Sequence, residues 1–459
     1  MRVVRTLLPA AVCALAAAAL AIAAGDGVFS SDAPLTLQLK APFNDLFLHP
    51  RTDDEYAVNG VLSYVGEGVA EKPIGQVKVS LRGNTSKRET ECSFPKLKLR
   101  FDARPDDPVF SGLSTVKIGT HCGESDDKEL TAKFGRLPNE HSPLREAFVY
   151  RLLGALDVPT LKARTARIAY VYSDPQPNGE GPDQSRPIVR NAMIVEDGDD
   201  AKKRLGAEKE IDEAKFTNAA EMLAPEDTAR LAFAEALIGN FDWCLKFTAS
   251  DTYRCDARHP LWNILGLEVR GRVTPLIYDF DVSGMVAGRH LWFADVFNEA
   301  FVRSKSHEEV EVLAQLQRTR SLFTRDMLDS TRKRFADRKD AAYQAFDRAT
   351  LDDNGRREIK AYMDAFFNTL GSDDAFYRPV VTAKNAMLYT TPDKATTACG
   401  TRSTIPVGTP VSDPTATENG MVQVVVLDAL WHWAPPTKCD TVHKTAVWIE
   451  GGAISSKYP

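Results

Sequence analysis

Apolar and polar residues alternate along Ile74-Gly75-Gln76-Val77-Lys78-Val79-Ser80-Leu81 and again along Leu97-Lys98-Leu99-Arg100-Phe101. A period of two marks a strand with one buried face. Between the two runs lies a polar, turn-rich loop, Arg82-Gly83-Asn84-Thr85-Ser86-Lys87. A further strand is expected at Thr115 to Ile118, followed by a helix that opens at Ser142-Pro143 and carries Leu144, Phe148, Leu152 and Leu153. Serine as cap and proline in the first turn are the usual start signals. Arg167 to Tyr172 and Ile188 to Glu196 read as extended, flanking a Pro/Gly/Asp-rich loop from Asp174 to Arg186. Helical periodicity then dominates over Thr228 to Ile238 and Glu308 to Leu370. The alternating charges of Arg318 to Lys360 read as a solvated helix face. Past Ser372-Asp373-Asp374 the pattern changes to short strands, Ala386 to Tyr389, Val422 to Leu427 and Ala446 to Ile449, as in a small all-β barrel or sandwich.

The first residues change the picture. A basic start, Met1 to Arg5, precedes an alanine-heavy apolar run from Leu7 to Ala24, with small residues at Ala21 and Ala23. This is the layout of a secretory signal peptide, residues 1–24. The alternative is an uncleaved membrane anchor, against which stand Pro9 and the low hydrophobicity of alanine. Val12 before Cys13 speaks against lipidation. No later stretch is apolar enough to span a bilayer. The net charge of -6 gives no support to nucleic-acid binding.

Without Cys13, six cysteines remain: Cys92, Cys122, Cys244, Cys255, Cys399 and Cys439. An even count in an exported chain reads as disulfides. Chain proximity favours Cys92–Cys122, Cys244–Cys255 and Cys399–Cys439. Zinc is disfavoured, because no Cys-x-x-Cys pair or matching histidine spacing occurs.

Two segments place carboxylates where a core would not want them: Gly239-Asn240-Phe241-Asp242-Trp243, and Tyr278-Asp279-Phe280-Asp281-Val282-Ser283-Gly284. Asp279 and Asp281 share a face if extended. Buried carboxylates call for a cation, and oxygen ligands suit magnesium or calcium. The plainer reading makes Asp242 a cap or ion-pair partner and Asp279-Phe280-Asp281 a tight turn. Trp243, Trp262 and Trp292 read as core or cleft-wall aromatics. His121, His259 and His290, without ligand spacing, read as surface or capping residues.

Taken in order, Val79-Ser80-Leu81-Arg82-Gly83-Asn84-Thr85-Ser86, Phe94-Pro95-Lys96-Leu97-Lys98-Leu99, Gly239 to Trp243 and Tyr278 to Gly284 resemble the CotH kinase family, in its exported bacterial branch. The Leu144-Arg145 helix start and the strand Asn191 to Asp197 fit as well. The resemblance implies an α+β, bilobal atypical protein-kinase-like fold over 30–375, with a strand-rich N-lobe and a helical C-lobe. It implies ATP and Mg2+ as cofactors. Lys98 is the first choice for the phosphate-holding lysine and Lys96 the second, with Arg82 and Glu196 also on the cofactor side. Asp242 matches the catalytic aspartate. Asp279 and Asn263 match the metal ligands, and Asp281 assists. Glu146 is a possible helix-borne partner of the lysine, although a surface ion pair or a helix-dipole role is the stronger reading. Arg82 reads equally as a clamp on a carboxylate. Residues 380–459 resemble a bacterial SH3-like module, with Ala446-Val447-Trp448-Ile449 approximating its typical ending.

The leading expectation is therefore an exported kinase-like protein, periplasmic or secreted. It would transfer phosphate from Mg-ATP to the hydroxyl of a protein substrate or cell-envelope component. The main rival is a non-catalytic binding protein on the same fold, attached through its β module. A third reading is a Ca2+-stabilised structural protein. Nucleic acid is not an expected partner, and membrane contact is expected only if the leader stays attached.

Overall fold

The computed structural model describes residues 27–66, 69–126, 129–174, 187–247, 259–288, 306–320, 322–377, 381–398, 404–426 except 406, 408, 410 and 413, and 446–455. Seven strands close into a barrel: β1 (Leu35–Ala41), β2 (Val58–Gly66), β3 (Val69–Leu81), β4 (Leu97–Phe101), β5 (Thr115–Gly119), β6 (Ala163–Tyr172) and β7 (Ile188–Val195). Their order around it is β1, β2, β3, β4, β5, β7, β6. Neighbours run antiparallel except β1 and β6, which are parallel. The alternation read from the sequence is the cause. In β4, Leu97, Leu99 and Phe101 point inward while Lys98 and Arg100 stay exposed, and in β1 Leu35, Leu37, Leu39 and Ala41 do the same. These side chains fill the barrel with Val77, Val79, Val116, Ile118, Ile168, Tyr170 and Ile194. Closure leaves the sheet no unpaired edge.

A second core lies among the helices Ser142–Ala155, Pro225–Leu237, His307–Arg320, Arg325–Asp337, Lys339–Asp347 and Asp353–Leu370. Pro143 and Pro225 sit in first turns, where the missing N–H is no loss. The hairpin Ile264–Val269 and Arg272–Ile277 packs into this core. The charged stretch after Arg318 is more than a solvated face. Arg320 is fully buried and donates to the Phe376 carbonyl at 3.0 Å, and Arg332 binds Asp373 at 2.8 Å. Buried arginines need such partners, and charge alternation alone does not reveal them. The chain is thus a mixed α/β protein. Residues 381–455, as far as described, add short strands around a small core of Leu388, Ile405, Val411, Val424, Val447 and Ile449.

Cys92 and Cys122 form a disulfide. Cys244 is also disulfide-bonded, while Cys255, Cys399 and Cys439 lie outside the described residues, as do the leader 1–24, His290 and Trp292. Among the described residues no helix is long and apolar enough to cross a membrane. That observation and the disulfide are compatible with an exported protein. The Cys92–Cys122 bond spans 30 positions. In the loop-entropy model its removal costs roughly 3–4 kcal/mol. Urea unfolding of the Cys92→Ser/Cys122→Ser variant should show a loss of that order. A loss below about 1 kcal/mol would mean that packing alone holds this loop.

Candidate functional site

Two strand pairings assemble one end of the site. Ile264 pairs with Ile277, so Asn263 before one strand lies opposite Tyr278 after the other, and the Tyr278 N–H donates to the Asn263 carbonyl at 3.2 Å. Trp262 pairs with Cys244, which sets Asp242 against the same asparagine. Asn263 Nδ2 donates to the Asp242 carbonyl at 2.6 Å and to Oδ2 at 3.2 Å, and Trp262 Nε1 donates to Oδ1 at 3.1 Å. Asn263 and Asp279 adopt φ of 58° and 64°. This left-handed region is uncommon for residues with a side chain and tends to gather at functional turns.

Backbone hydrogen bonds fasten the two acidic segments together: Gly284 N–H to the Gly239 carbonyl at 3.0 Å and Met285 N–H to the Ile238 carbonyl at 3.1 Å. Gly239 has φ of 62°, and a Cβ there would meet Tyr362 Cε1 at 2.6 Å. Only glycine fits. Behind the loop, Glu235 accepts from Asn240 Nδ2 at 2.9 Å, and Asn240 Oδ1 accepts the Asp242 N–H at 3.0 Å.

The other end comes from the barrel. Lys96 precedes β4 and is 7% exposed. Its Nζ lies 2.6 Å from Asp279 Oδ1 and 2.9 Å from Asp281 Oδ2. Burial opposes its charge, but Asp279, Asp281 and Glu146 outweigh burial and hold its pKa above the usual lysine value. Asp281 also takes Arg136 Nε at 2.9 Å. Burial opposes ionisation there too, and Arg136 with Lys96 overrides it, keeping the carboxyl well below the ordinary range. Asp279 is held from behind by its N–H, which donates to Tyr150 Oη at 3.0 Å. Burial, together with Asp281 and Asp279, pushes Asp242 up to about 7.

Asp242, Asn263, Asp279, Asp281 and Lys96 converge. Lys98 does not, and this corrects the first choice of lysine. It shares a strand face with Lys96 but lies two residues further along β4, exposed beside Ser80 and Lys117. That step is about 7 Å, enough to leave the cover of Glu146, Asp279 and Asp281. Glu196 is also corrected. Its carboxylate is buried and occupied by Arg204 at 2.8 and 2.7 Å and by the Lys162 N–H at 3.0 Å, so the side chain anchors structure. Glu146 is not on the surface. It is buried, accepts the Phe280 N–H at 3.4 Å, and has its pKa raised by burial against the pull of Lys96. Arg82 lies near the cluster, where its charge is felt by Lys96 and Glu146. Its N–H donates to the Lys96 carbonyl at 2.9 Å. His121, expected at the surface, is buried against Phe94, with ring centroids 4.7 Å apart.

Arg136, Glu91 and Glu235 were missed. Arg136 and Glu91 sit in loops with no periodicity to mark them. Glu235 did carry a signal, since it interrupts Leu231-Ala232-Phe233-Ala234 and Ala236-Leu237 as Asp279 interrupts its own apolar run.

A metal-bound triphosphate is compatible with this donor set. All nearby acceptors are oxygens, which suits Mg2+. Among the described residues, the buried atoms without a hydrogen-bond partner include Asp281 Oδ1 and Arg82 Nε. The first would welcome a cation and the second a phosphate oxygen. Among the described residues no group of three or more His, Cys, Asp or Glu is placed to hold a metal unaided, so part of the coordination shell would fall to phosphate and water.

Neither a family model nor a curated protein sequence matches the chain. Among solved structures it is similar to HipA of Shewanella oneidensis MR-1, from a toxin–antitoxin complex with HipB and operator DNA. The TM-score is 0.28 and the identity 14%, over 60% of this chain and 62% of that one. It is also similar to the Helicobacter pylori proinflammatory kinase CtkA, with a TM-score of 0.31 and 10% identity over 61% and 92% of the two chains.

Glu235 supplies a test of these electrostatics. Burial, opposed by Asn240 and reinforced by Asp242, raises its pKa from 4.5 to about 8. The folded state then holds a proton that the unfolded state loses, so stability falls as pH rises from about 4.5 to about 8. Glu235→Gln removes this dependence. Relative to the parent protein the variant should gain stability across that window, on the order of 4 kcal/mol at the upper end. A difference independent of pH would mean that the carboxyl is ionised throughout.

Proposed function

We propose that this chain is an exported, kinase-like phosphotransferase that moves the terminal phosphoryl group of Mg-ATP to a protein hydroxyl. The observation that carries the reading is the convergence of Lys96, Asp242, Asn263 and Asp279, which are drawn from the barrel and from three separate segments of the helical part. The resemblance to CotH kinases, the two-lobed arrangement with a cleft between barrel and helices, and an SH3-like role for residues 380–459 belong to this proposal.

In this reading Lys96 turns from Asp281 to the phosphates and Arg82 contributes a second positive charge. Asp279 and Asn263 Oδ1 would hold a magnesium ion, which when bound would neutralise charge on the transferring phosphate. Asp242, held by Trp262 and Asn263, accepts the substrate hydroxyl proton. The hydroxyl oxygen bonds to the terminal phosphorus as the bond to the bridging oxygen breaks, and ADP departs. A pKa near neutrality suits a general base at physiological pH. Phosphoryl transfer needs chiefly positioning and charge neutralisation, which this small set can provide.

The rival, a non-catalytic binding protein, is favoured by the closure of Lys96 on both carboxylates. Binding and transfer separate the two. Mg-ATP at about 100 times its Kd should stabilise the protein by roughly 2.7 kcal/mol. Asp279→Ala should abolish the shift, Lys96→Met should weaken binding at least about tenfold, and Lys98→Ala should change nothing. Asp242→Ala should still bind nucleotide while radiolabel transfer disappears. Binding without transfer in the parent protein, or no shift with any nucleotide, would end the phosphotransfer reading and leave the non-catalytic rival.

A further inference from the structure

Lys96 is asked to serve two partners, and the second would leave Asp281 exposed to a severe cost. Asp281 is 6% exposed and its Oδ2 accepts from both Lys96 and Arg136, each at 2.9 Å. A buried carboxylate that loses its cation is strongly destabilising. Lys96 could turn away only if another charge stayed.

We infer that Arg136 is a positioning residue, the resident counter-ion of Asp281, whose fixed charge frees Lys96 to leave. This role rests on the phosphotransfer reading for its purpose, but not for its physical content. All three guanidinium nitrogens are committed. Nε binds Asp281, Nη1 lies 3.3 Å from Glu91 Oε2, and Nη2 donates to Thr85 Oγ1 at 2.7 Å. Its own backbone is locked in a tight turn. Thr131 N–H donates to the Arg136 carbonyl at 2.9 Å, and Arg136 N–H donates to Thr131 Oγ1 at 3.0 Å. Thr131 Oγ1 in turn donates to Glu91 Oε2 at 2.7 Å. Glu91 is the residue before Cys92, so the disulfide to Cys122 holds this acid in place.

The two cations differ in kind. Arginine does not deprotonate in a protein and presents a rigid fork, whereas lysine is a point charge on a flexible stem. The rigid one is pinned at four places and the flexible one is shared between Asp279 and Asp281. Through Thr85 the same guanidinium ties the Arg82–Lys87 loop to the acidic turn. Loop, turn and barrel therefore keep their register whichever partner Lys96 takes.

A double-mutant cycle without nucleotide tests the inference. Melting temperatures would be measured for the parent, Lys96→Met, Arg136→Gln, the double variant, and the double variant carrying Asp281→Asn. Lys96→Met alone should lower the midpoint little and Arg136→Gln should lower it more. The double variant should lose more than the sum, and Asp281→Asn should recover part of that loss. Additive losses, or a Lys96→Met loss equal to that of Arg136→Gln, would overturn the proposal. If the double variant does not fold, recovery of folding by Asp281→Asn supports the inference and failure to recover it counts against it. A second arm reads Mg-ATP affinity. Arg136→Gln should weaken it at least about tenfold and Arg136→Lys should restore part of it; equal affinity in all three proteins would overturn the positioning role. A parent protein that binds no nucleotide ends the phosphotransfer reading, and the melting cycle still decides the role of Arg136.

Discussion

One buried carboxylate organises the molecule. Asp281 has two cations at 2.9 Å, and neither comes from its own neighbourhood in the chain. Lys96 arrives at the start of β4, Arg136 from the segment after the disulfide, and Asp281 from the turn after the Arg272–Ile277 strand. Removing three charges from water is expensive, and the arrangement holds only if all three segments arrive together. The constraint therefore couples the barrel to the helical part, because losing any one partner would leave an uncompensated buried charge. It also fixes the neighbouring Asp279 at the rim, its side chain 36% exposed.

On the far side of the rim the electrostatics run the other way. Among the described residues no cation lies in hydrogen-bond contact with Asp242; a tryptophan N–H and an asparagine amide hold it. Burial and two nearby aspartates push it toward neutrality, and Glu235 behind it is pushed further. One acid held ionised by two cations, Asp281, thus stands beside one poised near pH 7, Asp242, and such paired, oppositely shifted acids are typical of functional sites.

Much of this was legible in the residues, for local reasons. Period-two alternation located β3 and β4, serine with proline located the Ser142–Ala155 helix, and aspartates interrupting apolar runs pointed to Asp242, Asp279 and Asp281. What was not legible depends on tertiary cover. Lys96 and Lys98 have the same strand parity, and only the position of the acidic turn, 183 positions further along the chain, tells them apart. Barrel closure through the parallel β1–β6 pairing has no local signature either. Arg136 lies in a loop whose meaning comes entirely from Asp281, 145 positions away. Glu196 shows the converse: a plausible site acid taken up by an arginine eight residues on.

The central claim is that Lys96, rather than any neighbouring lysine, meets the phosphates of a bound nucleotide. Its most direct test is lysine acylation by an acyl-phosphate derivative of ATP, which marks amines lying against the phosphates and is mapped by mass spectrometry. The account expects the label on Lys96, lost on competition with Mg-ATP, with Lys98 unlabelled. Competed labelling on Lys98 and none on Lys96, or no competed labelling at all, would contradict it.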